Sequence, residues 1–333
     1  QFNLSGISSA PASVIFSDMA RPSHLQNFHR YSDVHESITS NMVLAVVITY
    51  QPDDTLAQHL QALREQIDSV VVVDNGSTNI NAIELAVSET GCRLVKNSSN
   101  LGIAKALNQG ATIALAEGFA WLATFDQDSQ VTSRMVSGLL ELHSTHPMKD
   151  AVGVLVAFHR DRETGGNYDD PRDVITETDD WMLLRTTITS GSLVSVATLR
   201  AVGQFDSALF IDFVDHDFYM RCRQRGFLIV GAKHHVLVHS VGRTTLHRLL
   251  GKRVICSNHS ALRRYYMTRN QLEVYWRFAA FEPEWCARGT WHLLIGSIFV
   301  LVFEVDRVNK LRAMLKGALH FATRRFGRLD GFP

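Results

Sequence analysis

The chain has 333 residues, 46% of them hydrophobic, and its 33 Lys and Arg are balanced by 33 Asp and Glu. This length and composition are sufficient for one large domain with a substantial core. The zero net charge argues against a protein that coats nucleic acid, because phosphate binding needs a basic surplus. The four cysteines are far apart in the sequence, so we expect reduced thiols rather than a disulfide framework or a structural zinc site.

Residues 1–41 show no sustained periodicity and no basic start followed by an apolar stretch, so we interpret them as a flexible extension without a secretory signal. From residue 42 to about 160, apolar runs alternate with segments of helical spacing. This alternation predicts an α/β fold, built from right-handed βαβ units around a mostly parallel sheet flanked by helices. Strands are predicted at 43–50, 69–74, 93–96 and 121–126, with helices after Thr55, near 80–90 and near 103–117.

After residue 160 the alternation ends in a polar, turn-rich loop over 161–173. The later pattern predicts a strand at 190–195, a helix from Asp215 to Arg225, and one or two strands over 227–239. We therefore predict a catalytic domain over 42–258 and a C-terminal helical region over 259–333. The first predicted helix of that region places five residues on one side: Leu262, Tyr266, Leu272, Trp276 and Ala279.

Polar residues follow three of the predicted strands, at the carboxyl ends where open parallel sheets bind ligands. Tyr50 ends the first strand, Asp74 and Asn75 follow the second, and Asp126 follows the fourth. A carboxylate at such a position can accept hydrogen bonds from a nucleobase or a sugar hydroxyl. Because the three clusters share one sheet edge, we expect a nucleotide site there, although Asp and Asn are also common turn formers.

The sequence DQDS contains two carboxylates, Asp126 and Asp128, that are two residues apart. On an extended chain both project to the same side, with Gln127 pointing away. Two carboxylates so placed suit Mg²⁺ or Mn²⁺, which can also bridge phosphate oxygens and stabilise a departing diphosphate. The alternative interpretation is an acidic turn without a metal.

The segment NLGIAKALNQG (100–110) opens a predicted helix, with Asn100 as its cap and Gly102 permitting close approach. A helix N-terminus favours an anion, so a phosphate could rest there. The alternative is an ordinary capped helix.

Taken in order, these motifs resemble a known family. Over about residues 42–280 the chain is similar to the GT-A glycosyltransferases of family 2. Six motifs carry this similarity: ITY, VVVDNGS, NLGIAKALNQG, FDQDS, SGSLVS and FIDFVDHDFYMRCRQRG. LFIDFVDHDFYMR and HSALRRYYMTRN resemble the bacterial rhamnosyltransferase branch of that family. The resemblance implies a GT-A fold and a metal-dependent, inverting transfer of L-rhamnose from dTDP-L-rhamnose.

The resemblance also implies roles for single residues. Asp74 matches the aspartate that binds the base or ribose, and Asp126 and Asp128 match the metal-binding pair, with Asp128 the more direct ligand. His239 matches a histidine that many members place on the metal. Arg243 is expected to reach the diphosphate.

Asp215 matches the second residue of the family's Glu-Asp catalytic motif, and Val214 stands where that motif usually has Glu. Inverting transfer needs one carboxylate to take the proton of the acceptor hydroxyl, and a helix N-terminus would keep Asp215 ionised. The alternative is that Asp215 only caps its helix. Asp212, Asp217 and Arg269 are candidates for contact with the acceptor or for support of the base.

Two further residue patterns have ordinary explanations. His234, His235 and His239 cannot all share one face of a strand, so a three-histidine zinc site is not expected. Tyr265, Tyr266 and Trp276, at helical spacing, are expected in the core rather than as a platform for a sugar ring.

By the same resemblance the acceptor is mono-rhamnolipid, which would become di-rhamnolipid. The alternative acceptor is a lipid-linked O-antigen, capsule or other cell-surface glycan. No nucleic-acid partner is expected, and the sequence does not indicate an oligomeric state.

The C-terminal residues 304–330 carry seven Lys and Arg against three acidic residues. Leu311, Leu315, Ala318 and Ala322 recur on one predicted helical side. The apolar run before them, 289–303, is shorter than the roughly 20 residues of a membrane span. We therefore expect a cytoplasmic protein that lies on the inner face of the cytoplasmic membrane through a basic amphipathic helix. The alternative is a solvated helix packed on the catalytic domain.

Three other classes of protein are alternatives to this interpretation. An aspartate-nucleophile phosphatase usually has DxDx[TV] directly after its first strand, whereas DQDSQ follows a late one. No GxGxxG follows the first strand, which disfavours a dinucleotide oxidoreductase. A catalytically silent nucleotide-binding protein is the third class, and it would keep its function when Asp215 is replaced.

Overall fold

The computed structural model describes residues 40–162, 170–239, 245–249, 252–256 and 258–329. The extension expected over 1–41 lies almost wholly outside these residues, as does most of the polar loop expected over 161–173. Twelve strands are described: β1 (Val43–Thr49), β2 (Ser69–Asp74), β3 (Arg93–Lys96), β4 (Trp121–Asp126), β5 (Gln130–Val131), β6 (Val152–Asp161), β7 (Val174–Glu177), β8 (Trp181–Leu184), β9 (Ser192–Ser195), β10 (Leu228–His239), β11 (Thr245–Leu249) and β12 (Lys252–Cys256).

The helices of the described residues alternate with strands in the first half of the chain and follow one another at its end. They are α1 (Leu56–Arg64), α2 (Ile80–Thr90), α3 (Ile103–Glu117), α4 (Met135–Thr145), α5 (Val196–Val202), α6 (Val214–Gln224), α7 (Ala261–Phe278), α8 (Pro283–Phe303) and α9 (Arg307–Ala322).

Ten strands form one central sheet, in the order β3-β2-β1-β4-β9-β6-β10-β8-β7, with β5 beside β10. The first four neighbours are parallel, as the alternation of strands and helices predicts. Beyond them the sheet is mixed: β9 runs antiparallel to both β4 and β6, whereas β10 runs parallel to β6 and antiparallel to β8. The predicted α/β fold is therefore confirmed.

Helices cover both faces of the sheet, which explains why β1 is apolar without interruption. Leu44, Val46 and Ile48 point into the core shared with α3, and every residue of β1 is buried. The intervening residues, including Val47, point into the opposite core, shared with α1 and α4. Gly110 in α3 lets that helix approach closely, because a Cβ there would lie 2.7 Å from the side chain of Val46.

The C-terminal helices α7 and α9 bury polar as well as apolar side chains. Leu262 and Trp276, expected on the apolar side of α7, are 39% and 65% exposed. In α9 the side that carries Leu315 faces outward, with Leu315 63% exposed, and the buried residues are Lys310, Ala313, Met314 and Gly317. The reason is that α9 packs against α7 through small side chains, with Gly317 directly over the backbone of Tyr265.

Candidate active site

The polar strand ends predicted from the sequence lie side by side. In the sheet register Thr49 of β1 pairs with Asp74 of β2, and Ile48 pairs with Asp126 of β4. Tyr50 follows directly and its side chain is 48% exposed. The carboxyl ends of β2, β1 and β4 thus form one polar edge.

The Asp74 carboxylate is buried and organises the loop that follows it. It accepts hydrogen bonds from the hydroxyl of Thr49, the backbone N–H of Gly76 (3.1 Å), and the N–H (3.0 Å) and hydroxyl of Ser77. Ser77 in turn accepts a hydrogen bond from the N–H of Gln51 at 2.8 Å. In this structure Asp74 therefore fixes the position of the DNGS turn, and the role suggested by the family resemblance, contact with a base or ribose, stays a proposal.

Asn75 and Asn100 connect this turn with the segment before α3. The Asn75 amide donates to the Asn100 side chain at 3.1 Å and accepts from the N–H of Leu101 at 2.9 Å. The expectation that Asn100 caps α3 is wrong, because the helix begins at Ile103 and Asn100 instead accepts from the N–H of Gly102.

Gly102 allows the close approach that its sequence position suggests, and the group that approaches is Phe210. With φ at +86°, a Cβ on Gly102 would lie 2.6 Å from both the ring and the carbonyl oxygen of Phe210. The Phe210 carbonyl also accepts a long hydrogen bond from the N–H of Ala104 at 3.4 Å. The N-terminus of α3, where we expected a phosphate, is therefore covered by the loop that leads to α6.

The carboxylate pair of the DQDS sequence lies in a turn rather than on an extended chain. β4 ends at Asp126, and the N–H of Ser129 donates to the Asp126 carbonyl at 3.2 Å. The prediction that Asp126 and Asp128 project from one side of a strand is therefore wrong in its geometry. Both side chains are half-buried at the polar sheet edge.

Gln127, between the two carboxylates, fastens this turn to its neighbours. Its side-chain oxygen accepts from the N–H of Tyr50 at 2.7 Å, and its carbonyl lies 2.9 Å from Nδ1 of His59. The sequence predicts that Gln127 points away from the site, and it does not indicate this contact across the sheet edge. Gln127 thereby couples the ends of β1 and β4.

The donor set of this turn fits a divalent cation. Two half-buried carboxylates at the end of a strand are hard oxygen ligands of the kind Mg²⁺ and Mn²⁺ take, with substrate phosphates and water completing the shell. In the described part of the chain, no group of three or more His, Cys, Asp or Glu side chains comes together as a metal site. A cation would therefore need ligands from its substrate as well as from Asp126 and Asp128.

Two other residues predicted for the metal and diphosphate stay untested. Arg243 lies outside the described residues, and for His239 the structure describes the backbone at the end of β10 but not the side chain. The other two histidines of that strand, His234 and His235, have described side chains that contact residues outside the polar sheet edge. The His234 side chain is 66% exposed beside Asp180, and the His235 ring packs over Gly138 of α4.

Asp215 lies in the first turn of α6, half-buried, as the sequence predicts. Its carboxylate accepts from the N–H of His216 at 2.9 Å, and Nδ1 of His216 lies 2.7 Å from the hydroxyl of Thr186. The loop before it is strained, because Phe210, Asp212 and Phe213 all adopt positive φ, between +62° and +69°. Strain of this kind is found where surrounding structure holds a functional loop.

Asp212 is part of this loop, and its side chain is largely buried. One carboxylate oxygen accepts from two nitrogens of Arg263, at 3.0 and 3.1 Å, and the other is buried without a hydrogen-bond partner among the described residues. Burial raises the pKa of this carboxyl, and Arg263 opposes that rise. The nearby Asp215 carboxylate raises the pKa of Asp212 further.

The other two candidates near the acceptor are structural. Asp217 is fully buried and pairs with Arg221 and Arg277, both at 2.8 Å. Arg269 is also fully buried, and its guanidinium donates to the carbonyls of Leu209 and Gly327. Neither side chain is exposed to a substrate, so direct contact with an acceptor is not what they provide.

Sequence reasoning missed the residue beside Arg269. The amide of Asn270 donates to three carbonyls of the strained loop, those of Leu209, Ile211 and Asp212, at 2.7 to 2.9 Å. Its partners are about sixty residues away in the chain, so no local pattern indicates the role. Asn270 holds the backbone that carries Asp212 and leads to Asp215.

A second missed element is the buried polar segment 186–192, which connects the two carboxylate sites. Ser190 accepts from the N–H of Asp126 at 3.2 Å. The hydroxyl of Tyr219, in α6, lies 2.7 Å from the Ser192 hydroxyl and 3.3 Å from the Ile188 carbonyl. The DQDS turn and α6, which carries Asp215 in its first turn, are thus fixed relative to each other.

Comparisons with known proteins identify the family and the fold. Residues 44–195 match the family model Glycosyl transferase family 2. The chain is 31% identical over 238 residues to the dTDP-rhamnosyl transferase RfbF of Shigella flexneri, an alignment covering 68% of this chain and 78% of that protein. Among solved structures, S. aureus TarS 1–349 in complex with UDP-GlcNAc is similar in fold, with a TM-score of 0.54 at 15% identity, covering 85% of this chain and 82% of TarS. The chain therefore belongs to glycosyl transferase family 2, and its fold is that of the GT-A glycosyltransferases.

Proposed function

We propose that the protein is an inverting rhamnosyltransferase that uses dTDP-L-rhamnose and glycosylates a glycolipid acceptor. The donor is inferred from the 31% identity to a dTDP-rhamnosyl transferase. Mono-rhamnolipid, giving di-rhamnolipid, is the acceptor we propose first. A lipid-linked O-antigen, capsule or other cell-surface glycan is the second, and the same relative is compatible with either.

One observation supports transfer rather than binding alone: segment 186–192 fixes the DQDS turn and the N-terminus of α6 relative to each other. A transferase must hold its donor and its base in a constant relation, because misplacement by about 1 Å costs roughly a hundredfold in rate. A silent nucleotide-binding protein would not need this connection.

In the proposed reaction Asp215 is the general base. It takes the proton of the acceptor hydroxyl while that oxygen forms a bond to the anomeric carbon of rhamnose. The bond from that carbon to the diphosphate breaks on the opposite face, and dTDP leaves with the electron pair. General-base assistance of this kind contributes about 10²- to 10⁴-fold to a rate.

Asp126 and Asp128 would hold a Mg²⁺ or Mn²⁺ ion, and when bound it would neutralise charge on the departing diphosphate. Tyr50, Asn75 and the DNGS turn fixed by Asp74 would line the nucleotide side of the same edge. His239 and Arg243 remain proposed contacts of the metal and the diphosphate, on the family resemblance alone.

The test is product analysis by mass spectrometry. The purified chain is incubated with Mg²⁺, dTDP-L-rhamnose and mono-rhamnolipid, with a lipid-linked glycan as a parallel acceptor. We expect one acceptor to gain a single deoxyhexose. Asp215→Asn should lower the rate at least about a hundredfold while dTDP still raises the melting temperature, and Asp180→Asn, at a carboxylate that is 78% exposed, should keep full activity.

The outcomes separate the parts of the proposal. Product from the lipid-linked glycan but not from mono-rhamnolipid would overturn the first acceptor and support the second. Transfer only from a different nucleotide sugar would overturn the donor. Full activity of Asp215→Asn would overturn the base.

A further inference from the structure

We propose that the exposed side of α8 and the turn after it form a docking surface for an anionic membrane. This inference rests on the proposed function, since a glycolipid acceptor would be presented by such a membrane. The α8–α9 surface is defined by six apolar side chains that are 52% to 75% exposed: Trp291, Leu294, Ile298, Val302, Val305 and Val308.

The first four of these residues form one stripe, because spacings of three and four residues return to the same face of a helix. Nine of the fourteen large hydrophobic side chains that are exposed in the described part of the chain lie between Trp291 and Leu319. Contiguous apolar surface of this kind marks an interaction site in a soluble protein.

Charge at the end of the stripe identifies the partner. Arg307 is exposed and donates to the carbonyl of Leu301 at 3.2 Å, so its guanidinium lies against the C-terminal turn of α8. Arg312 is exposed one turn further on. The nearby Glu304 is buried and neutralised by Lys310 at 2.8 Å. An apolar stripe flanked by exposed arginines complements a surface of acyl chains and phosphate groups.

α8 is long and apolar enough to cross a membrane by its length and composition. Its inner side argues for a helix that lies in the plane of the surface. Trp285, Cys286 and Val300 are buried in the protein, and the Tyr275 hydroxyl packs against Gly289. The guanidinium of Arg172 also lies 2.6 Å from Nε2 of His292, so one side of α8 contacts the protein at several points between Trp285 and Val300.

The same charges disfavour a second copy of the chain as the occupant. A two-fold contact through this surface places each patch against itself, which would bring the arginines of both copies together. A lipid surface offers phosphates to the same arginines.

The α8–α9 surface is one helix layer from the strained loop. Ala313 of α9 packs with Tyr265 and Tyr266 of α7, and α7 holds the loop carbonyls through Arg269 and Asn270. A membrane bound at this surface would therefore present its glycolipids at a fixed distance from Asp215.

The experiment is co-sedimentation of the full chain with vesicles of phosphatidylcholine containing about one-third phosphatidylglycerol. We expect wild-type protein to bind these vesicles and to be released by salt. Leu294→Ser with Ile298→Ser should weaken partitioning at least about tenfold, and Arg307→Gln with Arg312→Gln should remove the preference for the anionic lipid. Leu85→Ser, at a leucine of α2 that is 59% exposed, is the matched control and should bind like wild type.

Tryptophan fluorescence gives a second measurement of vesicle binding. It does not depend on whether the two double variants fold. Vesicles should shift the emission of the wild type to shorter wavelength, and Trp291→Phe should lose this shift. Equal vesicle binding by wild type and the Leu294/Ile298 variant would overturn the proposal. A wild-type dimer in light scattering that becomes a monomer in the variant would assign the surface to a second copy and also overturn it.

Rhamnosyl transfer to detergent-dispersed acceptor separates this inference from the proposed function. If the proposal that the α8–α9 surface binds a membrane is wrong, rhamnosyl transfer persists although the protein does not bind vesicles. If the function is wrong, vesicle binding persists without transfer.

Discussion

At the scale of single residues, the contact of Gly102 with Phe210 joins the polar edge of the sheet to the loop before Asp215. Gly102→Ala would place a methyl group 2.6 Å from the Phe210 ring and carbonyl, at a φ of +86°. We expect a loss of stability of about 2–3 kcal/mol and a lower kcat, because the strained loop must shift.

Gly118→Ala is the control for this prediction. Gly118 has a nearly equal φ of +79°, and a Cβ there would meet nothing within 4 Å. The Gly118→Ala substitution should lower the free energy of unfolding by about 1 kcal/mol and leave kcat unchanged. Chemical denaturation and initial rates measure both variants, and equal losses in the two would contradict a role for the Phe210 contact.

His259 predicts a dependence of stability on pH. Burial, assisted by Arg263 and Arg264, lowers its pKa to about 4, well below the ordinary value of 6.5. Between these values the unfolded chain binds the proton and the folded chain does not, so stability is lost as the pH falls from about 6.5 toward 4. His259→Asn should remove this part of the loss, about 1 kcal/mol at about pH 5.

Thermal unfolding at about pH 7.5 and about pH 5 measures the effect of the substitution at His259. Leu85→Ser, at a non-titrating side chain that is 59% exposed, should keep the wild-type dependence on pH. An unchanged acid loss in His259→Asn would show that other groups cause it.

At the scale of elements, α7 shows where sequence reasoning succeeds and where it fails. The strand ends could be predicted, because two-residue and helical periodicities are local and parallel strands place their carboxyl ends together. The buried side of α7 could not, since it carries Arg269, Asn270 and Glu273, and each of these has partners fifty or more residues away. Trp276 lies outside the core and is 65% exposed, and its described partner is Arg324, whose guanidinium carbon is 5.1 Å from the ring centre.

Asn270 offers a test of this element. Asn270→Ala removes three hydrogen bonds to the strained loop, so we expect kcat to fall about 10- to 100-fold with a smaller change in KM. The free energy of unfolding should fall by about 1–3 kcal/mol. Steady-state kinetics at saturating donor, with parallel denaturation curves, measure both quantities.

Thr268→Val is the control on the same helix. The Thr268 hydroxyl is buried and has no hydrogen-bond partner among the described residues. The Thr268→Val substitution should leave kcat unchanged and lower the free energy of unfolding by less than about 1 kcal/mol. A loss of stability in Asn270→Ala without a change in kcat would reduce Asn270 to an ordinary core residue.

At the scale of the whole molecule, the sheet divides into two parts that differ in how they are assembled. β1 to β4 are consecutive in the chain and lie next to one another at one end of the sheet. The other part interleaves distant segments, since β10 lies between β6 and β8. The polar edge therefore depends mainly on residues 43–126, whereas the position of Asp215 depends on contacts with residues far apart in the chain, such as Thr186 and Asn270.

This strand order has a consequence for synthesis of the protein on the ribosome. Until residues 228–239 emerge, β6 has β9 on one side and an open edge of largely buried, apolar sequence on the other. Unpaired edges of this kind recruit other chains. A nascent chain stopped at Gln224 should therefore be insoluble or chaperone-bound, whereas one extended to His239 should be markedly more soluble, as fractionation of the two truncated products would measure. Ribosomes that pause before β10 would then expose the chain at its most aggregation-prone length.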